Sequence, residues 1–168
     1  MPIISLVVRI GFSYTIPNPG LILKKILGHM ERIQDLQIAC LPEYMEQMLR
    51  SRITAPAPFL RSFRLSFDRN NDSTFIFSKD MFPGRMPNLR KVHLELCLVD
   101  WSCPIFSGLT ELVLHSMLDD SLDYWLGLLF VLRKLPHLRR LALVDTLENA
   151  VDISSIDFKN MDKPISLP

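Results

Sequence analysis

The stretch MPNLRKVHLEL, Met86–Leu96, places a proline two residues before Leu89, and the apolar residues Val92 and Leu94 follow at the third and fifth positions after that leucine. This apolar-x-x-apolar-x-apolar pattern is typical of a half-buried strand, because successive strand side chains point to opposite faces. One strand of this kind would say little about the fold. The rest of the chain, however, carries the same pattern several times.

The pattern recurs with first positions at Ile3, Ile33, Leu60, Leu89, Leu109 and Leu138, so that the intervals run from 20 to 30 residues. Three copies share a longer form, Pro-x-Leu-Arg, which reads PFLRSFRL, PNLRKVHL and PHLRRLAL. Repetition at this period indicates stacked structural units. It predicts strands near residues 3–9, 33–39, 60–66, 89–95, 109–115 and 138–144.

The segments between the strands predict helices and loops. Helical spacing of apolar residues occurs in NPGLILKKILGHM, in LPEYMEQMLRSR and in DDSLDYWLGLLFVLRKL. The last of these begins with the acidic pair Asp119 and Asp120 and ends with Arg133 and Lys134, as the helix dipole favours. The connection between the third and fourth strands reads as a loop, and the interval from 89 to 109 is too short for a full helix.

Strands that run in the same direction and are joined by crossovers form a parallel sheet. Each unit has an apolar side that it buries only by stacking on its neighbours. We therefore predict an α/β solenoid with a curved parallel sheet of about six strands, and helices and loops on its convex side. Residues 1–168 form a single array in this interpretation.

Three longer stretches, APAPFLRSFRLSF, MPNLRKVHLELCLVDWSCPIFSGLTELVL and LRKLPHLRRLAL, resemble the leucine-rich-repeat region of fungal F-box-like proteins. That group commonly has W-x-x-P-x-F-x-G-L-x-x-L-x-L blocks, which here are Trp101, Pro104, Phe106, Gly108, Leu109, Leu112 and Leu114. The resemblance implies a leucine-rich-repeat fold and a role in recognising proteins for ubiquitylation.

The sequence departs from that group because it has no recognisable F-box. The Leu41-Pro42-Glu43 triplet lies between the second and third predicted strands and is interpreted as the start of a repeat helix. Contact with a ubiquitin-ligase adaptor is therefore expected only if an F-box exists outside this chain. Apolar strand residues begin almost at residue 1, and DKPISLP at the end resembles the start of another unit. We expect the chain to be a fragment of a longer protein.

Composition limits the classes of function. The net charge is +1, with 48% hydrophobic and 22% charged residues, which predicts a globular protein without a general attraction to nucleic acids or membranes. Three scattered cysteines argue against a disulfide framework and favour a reducing compartment. No signal peptide or membrane span is recognisable in the sequence. We expect an intracellular protein, cytoplasmic or nuclear.

The sequence contains no Gly-rich phosphate loop, Gly-x-Ser-x-Gly elbow or His-Glu-x-x-His motif, so we predict a non-enzymatic protein without a cofactor. The histidines and cysteines lack the spacing of metal ligands, which predicts no metal site. We place His93 and His115 at equivalent positions of adjacent strands, about 5 Å apart. They are interpreted as solvent-facing residues, with a metal-binding or pH-responsive pair as the alternative.

The polar positions of the repeated pattern are rich in basic residues. Stacking places them in rows on the concave face of the sheet, where Arg side chains suit the oxyanions of an acidic or phosphorylated partner. The alternative is that these cations only keep a sheet face soluble. The candidate partner-binding residues are Arg61, Arg64, Arg90, Lys91, His93, His115, Arg139 and Arg140.

These observations predict a non-catalytic protein-interaction module that resembles the substrate-recognition repeats of an F-box-type ubiquitin-ligase receptor. A structural or degenerate repeat fragment without a retained partner is the first alternative. Nucleic-acid binding through the basic rows is the second, and its affinity would fall steeply with salt.

Overall fold

The computed structural model of the protein describes residues 6–11, 19–40, 56–67, 75–77, 79, 86–119 and 121–145. The strands are β1 (Leu6–Gly11), β2 (Ile33–Cys40), β3 (Ser62–Phe67), β4 (Ile76–Phe77), β5 (Lys91–Glu95), β6 (Leu98–Val99), β7 (Glu111–His115) and β8 (Arg140–Val144). The helices are α1 (Pro19–Leu27) and α2 (Leu122–Arg133), and short 3₁₀ turns span Met30–Arg32 and Pro104–Phe106. The helix predicted for LPEYMEQMLRSR lies outside the described residues.

The main sheet has six strands in the order β1-β2-β3-β5-β7-β8, and every neighbouring pair in it is parallel. All six predicted strands are present, and the predicted α/β class is confirmed. A second, two-stranded parallel sheet joins β4 to β6 within the connections that follow β3 and β5. The main sheet is open and is not curled, so the curvature expected from the repeat pattern is not present.

The register of the strands lines up the apolar positions of the repeated pattern. Leu36, Phe63, Val92 and Leu112 are successive partners across β2, β3, β5 and β7, and the next row is Ile38, Leu65, Leu94 and Leu114. These side chains are at most 1% exposed. They share one hydrophobic core with the buried residues of α2. The helix therefore covers the apolar face, and the opposite face of the sheet carries the polar positions.

The Pro-x-Leu element forms a turn just before a strand. The amide N–H groups of Leu60, Leu89 and Leu138 each donate to the carbonyl three residues earlier, at 3.2, 3.1 and 3.1 Å. The proline is the second residue of each turn, where its fixed φ suits a type I or type II turn. Three strands thus begin in the same way, which explains why the proline recurs two residues before the leucine.

Three strands also end in the same way. Leu96 (φ 56°), Ser116 (φ 48°) and Asp145 (φ 48°) follow directly after β5, β7 and β8 and have left-handed backbone conformations. Few non-glycine residues adopt this conformation, which costs roughly 1–2 kcal/mol for an ordinary side chain. The left-handed conformation thus recurs directly after three strands, and the types of the residues there do not predict it.

Helix α2 begins at a different residue from the one expected. Its N-cap is Ser121, whose Oγ accepts a hydrogen bond from the Tyr124 N–H at 3.3 Å. Asp119 lies two residues before the N-cap, and its carboxylate accepts a hydrogen bond from the Ser121 N–H at 2.8 Å. The residue at the N-cap is thus a serine and not one of the acidic pair expected at the helix start, and Asp120 lies outside the described residues. Arg133 is in the last turn, as predicted.

Trp101 packs against α2 from the loop after β6. Its ring centroid is 5.2 Å from that of Phe106 and 5.1 Å from that of Tyr124. Trp125 is 6% exposed within the same core. Both tryptophans therefore have packing roles. In the part of the chain that the structure describes, neither helix has the length and apolar character that a membrane crossing requires.

Candidate functional site

The polar face of the sheet carries the residues that the sequence singled out for partner binding. Strand register places them in rows. Lys91 and Arg140 lie in the row that also holds Glu111, and Arg64 and His93 are direct partners in the next row. His115 lies in the row after that, beside Glu95. The remaining three, Arg61, Arg90 and Arg139, immediately precede β3, β5 and β8.

Carboxylates on the same face pair with the cations of the strands. A nitrogen of Arg64 is 3.5 Å from Glu95 Oε2, and Lys91 Nζ is 3.4 Å from Glu111 Oε2. Arg140 lies on the other oxygen of Glu111, at 3.0 Å. The expected basic rows are therefore mixed charge networks within the strands. Partly exposed pairs of this kind add little stability, but they leave less positive charge for a ligand.

His115 lies between two carboxylates. Its Nδ1 is 3.2 Å from Glu95 Oε1, and its Nε2 is 3.1 Å from Asp145 Oδ2. The side chain is 28% exposed, so both contacts are partly shielded from water. The left-handed backbone at Asp145 holds its carboxylate beside the imidazole. This arrangement fixes the orientation of the His115 ring.

His93 is half-buried, and its Nε2 is buried without a hydrogen-bond partner among the described residues. Burial lowers the pKa of His93, the nearby Arg64 charge lowers it further, and Glu95 opposes both effects. The imidazole is consequently neutral near pH 7. Our placement of His93 and His115 at equivalent positions was wrong. His93 pairs with Val113 and His115 with Glu95, so the two histidines are diagonal neighbours across β5 and β7.

The three arginines before the strands have different surroundings. Arg61, Arg90 and Arg139 are exposed, and no carboxylate pairs with any of them in the described part of the chain. Backbone hydrogen bonds join these arginines to the neighbouring segments of the sheet. The Arg90 N–H donates to Arg61 O at 2.9 Å, and the Arg139 N–H donates to Thr110 O at 2.9 Å. We call Arg61, Arg90 and Arg139 the arginine edge. It runs along the amino ends of the strands.

A cavity of about 490 Å³ opens at the arginine edge between the turn before β5 and the turn before β8. Arg90 and Arg139 line it together with Ser107, Thr110 and His137. The Arg90 guanidinium also donates to the carbonyls of Pro87 and Leu89, at 3.1 and 2.8 Å, which holds it in place. The Ser107 and Thr110 hydroxyls already donate to the carbonyls of Pro104 and Arg90, at 2.9 and 3.3 Å, so the two guanidinium groups are the charged donors of this cavity. Guanidinium donors suit a phosphate or carboxylate group.

Gly108 lines this cavity and has a left-handed backbone conformation. Its φ is +71°, which an L side chain rarely adopts, and a Cβ there would lie 3.6 Å from the Arg90 guanidinium. The glycine of the SGLTELVL copy thus occupies the position before the strand leucine, where three other copies have a residue that follows proline. The local backbone needs a glycine here for conformational reasons.

The cysteines do not form part of the site. Cys40, Cys97 and Cys103 are buried and form no disulfide with one another. Burial raises the pKa of the Cys97 thiol to about 12 and that of Cys103 to about 11. Because the thiolate is the reactive form, these two thiols are poor nucleophiles near neutral pH. They serve as small packing groups in the core.

No family model matches the chain, and neither a curated protein nor a solved structure is significantly similar to it. The resemblance to fungal F-box-like proteins therefore stays a prediction from the motifs. The same holds for the non-enzymatic character, the partner and the cellular compartment.

Proposed function

We propose that the protein is a non-catalytic interaction module of the leucine-rich-repeat type, and that it binds an acidic or phosphorylated segment of a partner protein along the arginine edge. The observation that carries the proposal is the position of Arg61, Arg90 and Arg139. These exposed cations have no carboxylate partner in the described ranges, whereas Arg64, Lys91 and Arg140 within the strands do.

The repeated unit supports the solenoid form of this proposal. The turns before β3, β5 and β8 each contain the same type of backbone hydrogen bond, between residues three apart. The residues after β5, β7 and β8 all have a left-handed backbone conformation. Adjacent turns are also joined directly, since the Asn88 side-chain amide donates to Pro58 O at 2.6 Å. Such a unit buries its apolar side only through its neighbours, as solenoid repeats do. The edge position before β3, β5 and β8 is an arginine, and before β7 it is Thr110.

The ligand class follows from the chemistry of the edge. Arg guanidinium groups donate two parallel hydrogen bonds to carboxylates and phosphates, and they remain charged at every physiological pH. The cavity beside Arg90 and Arg139 has room for an anionic group next to both guanidinium groups. An extended peptide that carries acidic or phosphorylated residues would meet Arg61 and Arg90 on neighbouring strands, and then Arg139 beyond Thr110.

The role that we propose in the cell is substrate recognition for ubiquitylation. It is supported by the likeness of the Trp101–Leu114 block to fungal F-box-like repeats. In this proposal the chain captures the client, and an F-box outside this chain recruits the ligase adaptor. The surface would work by shape and charge complementarity, with no group that makes or breaks a covalent bond.

The proposal is tested by fluorescence anisotropy with a labelled acidic phosphoserine peptide and the triple variant Arg61→Glu, Arg90→Glu, Arg139→Glu. We expect the variant to bind at least tenfold more weakly, because each charge-assisted hydrogen bond contributes about 1.5–3 kcal/mol and tenfold corresponds to about 1.4 kcal/mol. The matched control is Lys24→Glu, Lys25→Glu, Arg32→Glu, which makes the same change in net charge on exposed residues in and just after α1.

The control should bind the peptide within a factor of about two of the unaltered chain. Equal weakening in both triple variants would show a general charge effect and would contradict an arginine-edge site. A labelled DNA duplex in the same assay separates the nucleic-acid alternative. Tighter binding to that duplex, with a steep loss between low and high salt, would replace the peptide proposal.

A further inference from the structure

Two strands bring three metal-binding side chains together on the polar face. His93 and Glu95 lie on β5 and His115 lies on β7, and one ligand atom from each lies within 4.8 Å of the other two. Glu95 and His115 are direct register partners, and His93 is two residues before Glu95 on the same side of its strand. Parallel pairing in this register is therefore what assembles the cluster.

The spacing of the cluster fits a transition-metal ion. Ligands at 2.0–2.1 Å from a tetrahedral zinc ion are roughly 3.3 Å from one another. His115 Nδ1 and Glu95 Oε1 are 3.2 Å apart, so this pair already has that spacing. The 4.8 Å limit on the whole cluster leaves His93 a movement that side-chain rotation can supply.

The surroundings hold two of these ligands in position. Asp145 Oδ2 is 3.1 Å from His115 Nε2, which leaves Nδ1 directed at the cluster. A carboxylate on the second nitrogen is the usual outer partner of a metal-bound histidine. Arg64 lies 3.5 Å from Glu95 Oε2, so the other oxygen of that carboxylate is the one that faces His115. The orientation of both groups is set before any ion arrives.

One ring nitrogen of His93 lacks a hydrogen bond within the part of the chain that the structure covers. This atom is Nε2, and it is buried. Buried polar atoms in native proteins are nearly always paired, so an unpaired one calls for an explanation. Coordination of an ion by this imidazole would provide one.

We propose that His93, Glu95 and His115 bind a zinc ion on the polar face of the sheet, with Asp145 as the outer partner of His115. Two imidazoles and one carboxylate form a donor set that zinc accepts with a fourth position left for water or a ligand. This site lies within the strands and is separate from the arginine edge, so it stands independently of the proposed function. It develops the alternative that His93 and His115 form a metal-binding pair, against the expectation from sequence spacing that the chain has no metal site.

The test is a calorimetric titration of the tag-free full chain with zinc chloride. We expect one zinc ion per chain, and at least tenfold weaker binding for His93→Ala and for His115→Ala. Asp145→Asn should weaken binding by about 10- to 100-fold, as loss of an outer partner does. His29→Ala is the matched control, because its side chain is 67% exposed and lies outside the cluster, and it should bind as the unaltered chain does.

A second measurement does not depend on the folding of any variant. In NMR spectra of the unaltered chain, one equivalent of zinc should shift the ring signals of His93 and His115 and leave those of His29 and His137 in place. Zinc binding that is equally strong in the His93→Ala, His115→Ala double variant would overturn the proposal. So would zinc shifts at His29 or His137 in place of the two strand histidines.

Discussion

Replacing Phe63 with alanine is expected to lower the free energy of unfolding by about 3–5 kcal/mol, the usual cost of removing a buried phenyl ring. Phe63 is 1% exposed in β3, between Leu36 and Val92 of the neighbouring strands. Its ring centroid is 6.0 Å from that of Phe77, which ties the main sheet to the two-stranded one. Urea denaturation followed by circular dichroism measures the change.

The matched control is Arg64→Ala, one residue further along the same strand. The Arg64 side chain is 46% exposed, and its pair with Glu95 is a partly exposed one, so we expect a loss of about 1 kcal/mol or less. The contrast between the two positions tests which face of the sheet is buried. Equal losses of unfolding free energy at Phe63 and Arg64, or a larger loss at Arg64, would contradict the assignment of the buried face of β3.

Replacing Gly127 with alanine is expected to destabilise the protein by about 1–3 kcal/mol, the usual cost of overpacking a close-packed core. Gly127 lies in α2, where alanine is normally preferred over glycine by about 1 kcal/mol. A Cβ at this position, however, would clash with Cδ1 of Trp101 and lie 3.0 Å from its Cγ. Packing therefore outweighs helix propensity, and thermal unfolding should show a lower melting temperature.

The same substitution in a Trp101→Ala background provides the control. Without the indole ring there is room for the methyl group, so Gly127→Ala should then raise the melting temperature through helix propensity. The double-mutant cycle isolates the contact between the two residues. If Gly127→Ala stabilises the chain in both backgrounds, Trp101 does not pack on this part of α2.

Much of the fold was predictable because the apolar pattern and the strand are related by simple geometry. A leucine and two apolar residues at fixed spacing lie on one face of a strand, and the preceding proline favours a turn. The copies at Leu60, Leu89 and Leu138 accordingly gave three strands and their turns. Helix α2 followed from its apolar spacing and basic end. These signals are local in the sequence.

The charge pattern of the polar face was predicted less well. The sequence places Lys91 and Glu111 in separate copies, and only the register shows that they are direct partners. Asp145 lies beyond the repeated pattern, and its left-handed backbone carries no signal in the residue type. The absence of curl in the sheet was equally hidden, because the curvature of a stacked array follows from a small rotation between successive repeats. Side-chain pairing between strands is a tertiary property.

The positions of the candidate residues were therefore partly predicted, and their role in partner binding stays a prediction. Arg61, Arg90 and Arg139 are exposed at the edge of the sheet, where a partner could contact them. Arg64, Lys91, Arg140 and His115 lie on the predicted face but are engaged with Glu95, Glu111 or Asp145. Counting basic residues in each copy gave the correct face. It did not give the carboxylates that divide that face into a paired interior and a basic edge.

Measuring the parallel register of β5 and β7 tests this account most directly. That register lines up the core, places the arginine edge and assembles the histidine cluster. Nuclear Overhauser contacts between backbone protons of the isotope-labelled chain measure it. The account predicts that Lys91 lies beside Glu111 and that Glu95 lies beside His115. Contacts in the reverse order, with Lys91 beside His115 and Glu95 beside Glu111, would show antiparallel strands and contradict the account.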